Sequence, residues 1–313
     1  MNGSGGSAPG PRLAVRVLGP IEVRREDRVL RARELGGPKQ RQILEVLLLE
    51  LGTPVSKDRL VELLWGEHAP AAALQNLESY VSVLRRGLQP GASRHGPLRT
   101  ANGGYVMDEA SVELDVRCFE RLVDEARRSS AARAHPLWCR ALELASAPLL
   151  EDELACEWVE RRREVHAAAV LDARVSAAET ALELGRCGEA VLRAREVLAG
   201  EPLAERAWTA LVLGLERSGR TVEGLQVYDR CRRLLDQELG CAPSAVLRAA
   251  HERMLRATAE SGDDLGRLLS ALLVLHGQDA EWGRLPGPAA PVARDEAATV
   301  LRAFLGRTCG VAA

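Results

Sequence analysis

The sequence predicts a mostly α-helical chain in two parts, and three observations carry that reading. The first is the stretch from Ala72 to Leu88, AALQNLESYVSVLRRGL. There Leu74, Leu77, Val81, Leu84 and Leu88 recur at three- and four-residue steps, the spacing of one buried helix face. The second is Ala101-Asn102-Gly103-Gly104, set between the short apolar runs Leu98–Thr100 and Tyr105–Met107. Asn-Gly in that setting is a strong hairpin signal. The third is repetition: LGRCGEA (Leu184–Ala190) and SGRTVEG (Ser218–Gly224) place Gly185 and Gly219 one 34-residue period apart, the tetratricopeptide period. Together these describe a winged helix-turn-helix, three helices with small antiparallel sheets, followed by an all-helical tetratricopeptide-like domain.

In chain order, residues 1–12 read as a flexible tail, MNGSGGSAPG being rich in glycine and serine. Leu13, Val15 and Val17 alternate with polar or small residues, Gly19-Pro20 breaks the run, and Ile21, Val23 and Val29-Leu30 continue a small antiparallel meander. Gly36-Gly37-Pro38 opens a first helix whose Ile43, Leu44, Leu47, Leu48 and Leu51 share a face, with Gly52 where it stops. Ser56 is placed to N-cap a short apolar helix carrying Leu60, Leu63, Leu64 and Trp65. A loop, Gly66–Ala71, leads into the helix described above, and the hairpin follows. From Asp115 the pattern turns helical. Phe119–Arg128 and Leu137–Ala145 fit the repeat poorly, as terminal repeats do. In the repeats, Ala190 and Gly224 hold the small position where paired helices touch, Tyr228 fills a large pocket, and Pro202 closes the first repeat. The resulting boundaries are 1–12, a winged-helix domain over 13–108, a helical domain over 112–258, and a C-terminal extension over 259–313. The extension holds a Leu-rich amphipathic segment, Asp263–His276, a linker at Leu285–Pro291 and a last helical stretch at Glu296–Leu305.

Bulk properties agree with a two-domain globular protein. Of 313 residues, 46% are hydrophobic and 27% charged. The net charge of −2 conceals an asymmetry: residues 1–108 carry 15 Lys and Arg against 11 Asp and Glu, and the remainder 27 against 33. A basic front and an acidic back fit a nucleic-acid-contacting part joined to a protein-contacting one. Cys118, Cys139, Cys156, Cys187, Cys231, Cys241 and Cys309 are scattered and never form C-x-x-C, which predicts reduced thiols, no metal site and a cytoplasmic protein. No apolar run is long enough for a membrane span.

Gln75, Ser79, Ser82 and Arg86 fall almost opposite the leucine stripe. An ordinary solvated face would carry Glu and Lys. Short polar side chains and an arginine are what a helix bears when it reads base edges in a major groove. The run Arg161-Arg162-Arg163 is read as a solvated, ion-paired helix face in preference to a DNA contact.

The run PKQRQILEVLLLELGTPVSKDRLVELLWGEHAPAAALQNLESYVSVLRRGL, followed by TANGGYVM, closely resembles the DNA-binding domain of the Streptomyces antibiotic regulatory protein family. The resemblance extends from about Leu13 through Met254, and YDRCRRLLDQELGCAPS is similar to the closing helix and turn of that family's bacterial transcriptional activation domain. The resemblance implies an OmpR-type winged helix at the N-terminus. It implies that Gln75, Asn76, Ser79, Ser82, Arg85 and Arg86 face DNA on the recognition helix, and that Thr100, Asn102 and Gly103 stand at the wing. It places Lys39 near a backbone phosphate and matches Gly66, Glu67, His68, Ala69, Pro70 and Ala71 to the segment that touches RNA polymerase in OmpR-type activators.

Chemically, Arg85 or Arg86 suits a bidentate contact to guanine, and Gln75 or Asn76 one to adenine. Arg85 points partly to the flank, so a plain phosphate contact stays open for it. Lys39, Arg94 and Arg99 can supply phosphate attraction or minor-groove charge. His68 and His95 read as exposed bystanders. No G-x-x-x-x-G-K-[ST], H-E-x-x-H or G-x-S-x-G occurs, so no enzyme and no cofactor is expected. The leading expectation is an activator of a secondary-metabolite (antibiotic) gene cluster. It binds double-stranded promoter DNA as a head-to-tail dimer on direct repeats near the −35 element, and it recruits RNA polymerase holoenzyme through the sigma factor and alpha subunit. The alternative is a repeat-domain adaptor or ligand sensor with incidental DNA contact.

Overall fold

Alternation of buried and exposed residues makes strands of Leu13–Arg16 (β1), Glu22–Arg25 (β2) and Arg28–Arg31 (β3), which pair as an antiparallel meander. The computed structural model describes residues 13–89, 96–153 and 157–260. Readings made for residues 1–12, Arg94, His95, Cys156 and the chain beyond 260 lie outside the described residues. A fourth strand, absent from the sequence reading, joins this sheet. Val112–Leu114 (β7) runs parallel to β1, giving the order β3-β2-β1-β7. At three residues it is too short to declare itself by alternation, and its partner lies nearly a hundred positions away.

Pro38–Leu49 forms α1 with proline at its start, where a missing N–H costs nothing. Its burial is wider than one stripe: Ile43 through Leu48 are all buried, Glu45 included. Lys57–Trp65 forms α2, capped by the Ser56 hydroxyl accepting from the Arg59 N–H at 3.2 Å. Ala73–Leu88 forms α3, which packs on α1 and α2. Leu98–Ala101 (β5) and Gly104–Met107 (β6) form the hairpin. Val55–Ser56 (β4) adds to its inner edge in the order β4-β6-β5. Asn102 and Gly103 both have positive φ, 49° and 73°, as a tight two-residue hairpin turn requires.

The chain divides into two compact units, up to Ala173 and from Arg174. The first also holds Asp115–Arg127 (α4), packed along Ala131–Leu144 (α5), and the start of Glu157–Glu183 (α6). Helix α5 begins six residues before the expected Leu137 and runs through Pro136. After α5, the strap Pro148–Glu153 is stitched to the first sheet: Leu150 N–H donates to Val17 O at 2.7 Å and Gly19 N–H to Pro148 O at 2.8 Å. Arg163, on α6, donates to the carbonyls of Leu149, Leu150 and Glu153.

In the second unit, Cys187–Gly200 (α7), Glu205–Arg217 (α8), Thr221–Leu239 (α9) and Ala245–Glu260 (α10) follow the rest of α6. The repeat seen in the sequence is a repeat of backbone geometry. Gly185 and Gly219 share φ = 73°, Arg186 N–H donates to Ala181 O at 2.9 Å, and Arg220 N–H donates to Leu215 O at 2.9 Å. These glycine caps close α6 and α8 in the same way. At Gly224 a Cβ would stand 2.4 Å from the Met254 sulfur, so a larger residue there would displace that side chain. Tyr228 is buried and stacks on His251, with ring centroids 4.1 Å apart. The Trp208 indole donates to Pro202 O at 2.7 Å. No described helix is long and apolar enough to cross a membrane.

The least favourable feature of the first unit is the Glu45 carboxyl. Neither oxygen has a hydrogen-bond partner among the described residues. Burial, then Glu153 and Asp152 on the strap, push its pKa from 4.5 up to about 8, while Arg41 and Arg163 pull it down. Between those values the folded chain holds a proton that the unfolded chain has released. Stability from this group is therefore full at low pH and falls as pH rises through about 8. In urea titrations the unfolding midpoint is expected to fall between about pH 4.5 and pH 8 and to level off above that, and Glu45→Gln to flatten that dependence. An equally steep fall in the variant overturns the assignment.

Candidate nucleic-acid interface

The apolar side of α3 determines which side faces out. Leu77, Val81, Leu84 and Leu88 are at most 2% exposed. Leu74, expected in that stripe, is instead 48% exposed, and Ala73 takes the inward place. Both stand about 50° off the stripe's centre at 3.6 residues per turn, on opposite flanks, so spacing alone does not choose between them. Gln75, Ser79, Ser82 and Arg86 are exposed together on the far side, with Asn76 partly covered. The Ser82 hydroxyl donates to Glu78 O at 2.9 Å within its own helix. Among the described residues Arg86 takes part in no hydrogen bond or ion pair, so its guanidinium is available to a ligand.

Arg85 belongs to a different environment. Its Nε donates to Leu98 O at 3.2 Å and its terminal amine to Thr100 Oγ1 at 2.7 Å, and its guanidinium carbon lies 5.6 Å from the centre of the buried Tyr105 ring. Arg85, expected at a DNA-facing position but partly towards the flank, is tied to the hairpin by these contacts. Lys39, expected near a backbone phosphate, is half-buried and is engaged within the protein. Its Nζ donates to Leu64 O at the end of α2 and to Gln42 Oε1 at 3.2 Å, and lies 5.7 Å from the Trp65 ring centre. Trp65 in turn stacks on Tyr80 of α3 at 6.4 Å.

In the wing, Thr100, Asn102 and Gly103 are exposed at and beside the turn. Arg99 is held at the hairpin base by an ion pair with Asp108 at 2.7 Å, with 44% of its side chain exposed. Gly66–His68 forms a short 3-10 turn, and Gly66 through Ala71 are all exposed between α2 and α3, separate in the chain from the polar face of α3. Arg161, Arg162 and Arg163 are ion-paired with Glu157, Glu50 and Glu160 respectively.

Three contributors escaped the sequence reading. Lys57, the first residue of α2, pairs with Glu78 of α3, and its Nζ lies 5.9 Å from the Tyr105 ring centre. Tyr105 therefore has a cation from α2 on one contact and one from α3 on another. The available signal was compositional: Lys39 and Lys57 are the only lysines in the chain.

A winged helix with one free polar face, followed by helices built on a 34-residue repeat, defines a DNA-binding transcription regulator of two-part design. Comparison with known proteins agrees. Residues 33–107 match the family profile described as "Transcriptional regulatory protein, C terminal", and residues 114–255 match "Bacterial transcriptional activator domain". The chain belongs to the Streptomyces antibiotic regulatory protein family of transcriptional regulators. It is 36% identical over 232 residues to the regulatory protein DnrI of Streptomyces peucetius, covering 70% of this chain and 84% of that protein. With the regulatory protein AfsR of Streptomyces coelicolor it shares 34% identity over 250 residues, 77% of this chain but only 24% of AfsR. Among solved structures, Mycobacterium tuberculosis EmbR in complex with a low-affinity phosphopeptide matches with a TM-score of 0.68 at 25% identity, covering 94% of this chain and 71% of that one.

The inward placement of Lys39 gives a direct test. Lys39→Ala removes a charged donor from the end of α2 and is expected to lower unfolding stability by about 1 kcal/mol. It should leave the salt dependence of DNA binding unchanged, as followed by fluorescence anisotropy. A loss of affinity with a shallower salt slope and unchanged stability restores the phosphate role.

Proposed function

We propose that the chain is a sequence-specific transcription activator that lodges α3 in the major groove of duplex DNA and sets the β5–β6 turn against the adjoining backbone or minor groove. The observation that carries this reading is the pairing of a fully buried Leu77-Val81-Leu84-Leu88 stripe with an opposite face of exposed Gln75, Ser79, Ser82 and free Arg86. Arg86 suits a bidentate contact to guanine O6 and N7, Gln75 or Asn76 one to adenine, and the serines shorter contacts to either. Thr100, Asn102 and Gly103 serve the wing, with Arg99 adding charge at its base.

The finer parts of the proposal follow from family membership and exposure. Two copies bind direct repeats near the −35 element head to tail, a heterologous contact and not a two-fold one. The exposed Gly66–Ala71 loop and the helical domain meet RNA polymerase holoenzyme, at the sigma factor and alpha subunit. The regulated genes form a secondary-metabolite cluster, and the protein acts in the cytoplasm, at the nucleoid. The domains are proposed to function as 13–108 for DNA and 112–258 for activation.

Selection of bound duplexes from a random pool tests the reading. A specific site roughly 10³-fold tighter than random DNA is expected, with a salt slope reporting several released counterions. Arg86→Ala is expected to relax preference at one base pair, costing about 1–3 kcal/mol there; a uniform loss over all sequences removes its reading role. Glu67→Ala and His68→Ala are expected to spare promoter binding and lower transcript yield in a purified system. Undiminished yield takes the polymerase role away from that loop.

A further inference from the structure

We propose that Arg85 is a positioning residue that fixes the angle of the wing against α3, and that it neither reads a base nor grips a phosphate. This rests on the DNA-binding reading above and assigns a separate task within it. Strand β5 is the outer strand of its sheet, so alternate carbonyls along it face an open edge. Pro97 O is already taken by the Asp108 N–H at 2.7 Å, so Leu98 O points the other way, to that edge. Arg85, in the last turn of α3, reaches across to it with Nε and to Thr100 Oγ1 with a terminal amine. The side chain thus grips β5 at two positions, the Leu98 carbonyl on the open edge and the Thr100 hydroxyl two residues nearer the turn.

Tyr105 lies against the guanidinium and is the direct cross-strand partner of Thr100. From the α2 side Lys57 approaches the same ring, and Lys57 returns to α3 through Glu78. The contacts therefore close on themselves: α3 to β5 through Arg85, β5 to β6 through the ladder, β6 to α2 through Tyr105 and Lys57, and α2 back to α3 through Glu78. A rigid wing follows, because each strand of the hairpin is tied to a different helix. The same contacts explain why Arg85 and Arg86, adjacent in sequence, differ in role. Recognition of guanine needs two coplanar N–H donors at once. In Arg85 both Nε and a terminal amine are occupied over an aromatic face, whereas Arg86 has all its donors free among the described residues.

The test uses the full chain with Arg85→Ala, Arg85→Lys and Thr100→Val, and has two readouts. In the free protein, amide hydrogen exchange of Leu98–Ala101 and Gly104–Met107 is expected to quicken by about tenfold or more in Arg85→Ala while Leu77–Leu84 amides keep their protection. On DNA, Arg85→Ala is expected to lose about tenfold in affinity for all sequences alike, with the salt slope unchanged. Arg85→Lys is expected not to rescue, because an ammonium lacks the planar fork that meets Leu98 O and Thr100 together. Thr100→Val is expected to show a smaller change of the same kind. Three results overturn the proposal: unchanged exchange in the hairpin, rescue by lysine with a slope reduced by about 0.9 in the alanine variant, or altered preference at a single base pair. If the unaltered chain shows no specific duplex binding, the DNA-binding reading fails, and the exchange measurement still judges the clamp.

Discussion

Burial of the α3 stripe against α1 is the constraint on which the front of this molecule depends. Leu77, Val81, Leu84 and Leu88 each contribute roughly 1.5–3 kcal/mol by leaving water. No rotation of the helix keeps them buried while hiding the opposite side. The exposure of Gln75, Ser79, Ser82 and Arg86 is therefore a consequence of packing. α1 supplies the surface that makes this possible, and it is itself enclosed on nearly all sides. That enclosure takes in Glu45, a carboxyl forced to stay protonated well above its ordinary range. The helix against which α3 packs thus carries an ionisable group whose charge its surroundings resist.

A second constraint is the use of cations as fasteners. Of the positive side chains around α3, Lys39 closes the end of α2, Lys57 joins α2 to α3 and approaches Tyr105, Arg85 holds β5, and Arg99 holds the hairpin base. Each gives up mobility in exchange for a hydrogen bond, an ion pair or an aromatic face. The charge left free for a ligand is consequently smaller and more localised than the composition suggests. Among the described residues, Arg86 stands without a hydrogen bond or ion pair among the exposed Gln75, Ser79 and Ser82.

In the second unit the conserved quantity between repeats is a turn, not a contact list. The glycines at 185 and 219 adopt the same left-handed geometry and cap the helices before them through equivalent backbone bonds. The residues at equivalent places after these turns differ: Ala190 follows the first and Gly224 the second, where the Met254 side chain fills the space that a Cβ would take.

Much of this was legible in the chain itself. The 3.6-residue period of α3, the Asn-Gly turn, the Ser56 cap and the 34-residue repeat are local or periodic properties, and residues close in sequence determine them. Strand β7, the enclosure of Glu45 and the exchange of Leu74 for Ala73 were not legible, since each depends on what lies across from the residue. The clearest division falls between Arg85 and Arg86. Sequence determined that two arginines stand in the last turn of α3. Only the tertiary structure decided that one is fastened to Leu98, Thr100 and Tyr105 while its neighbour has no partner among the described residues, because those partners reach Arg85 by folding and not by spacing.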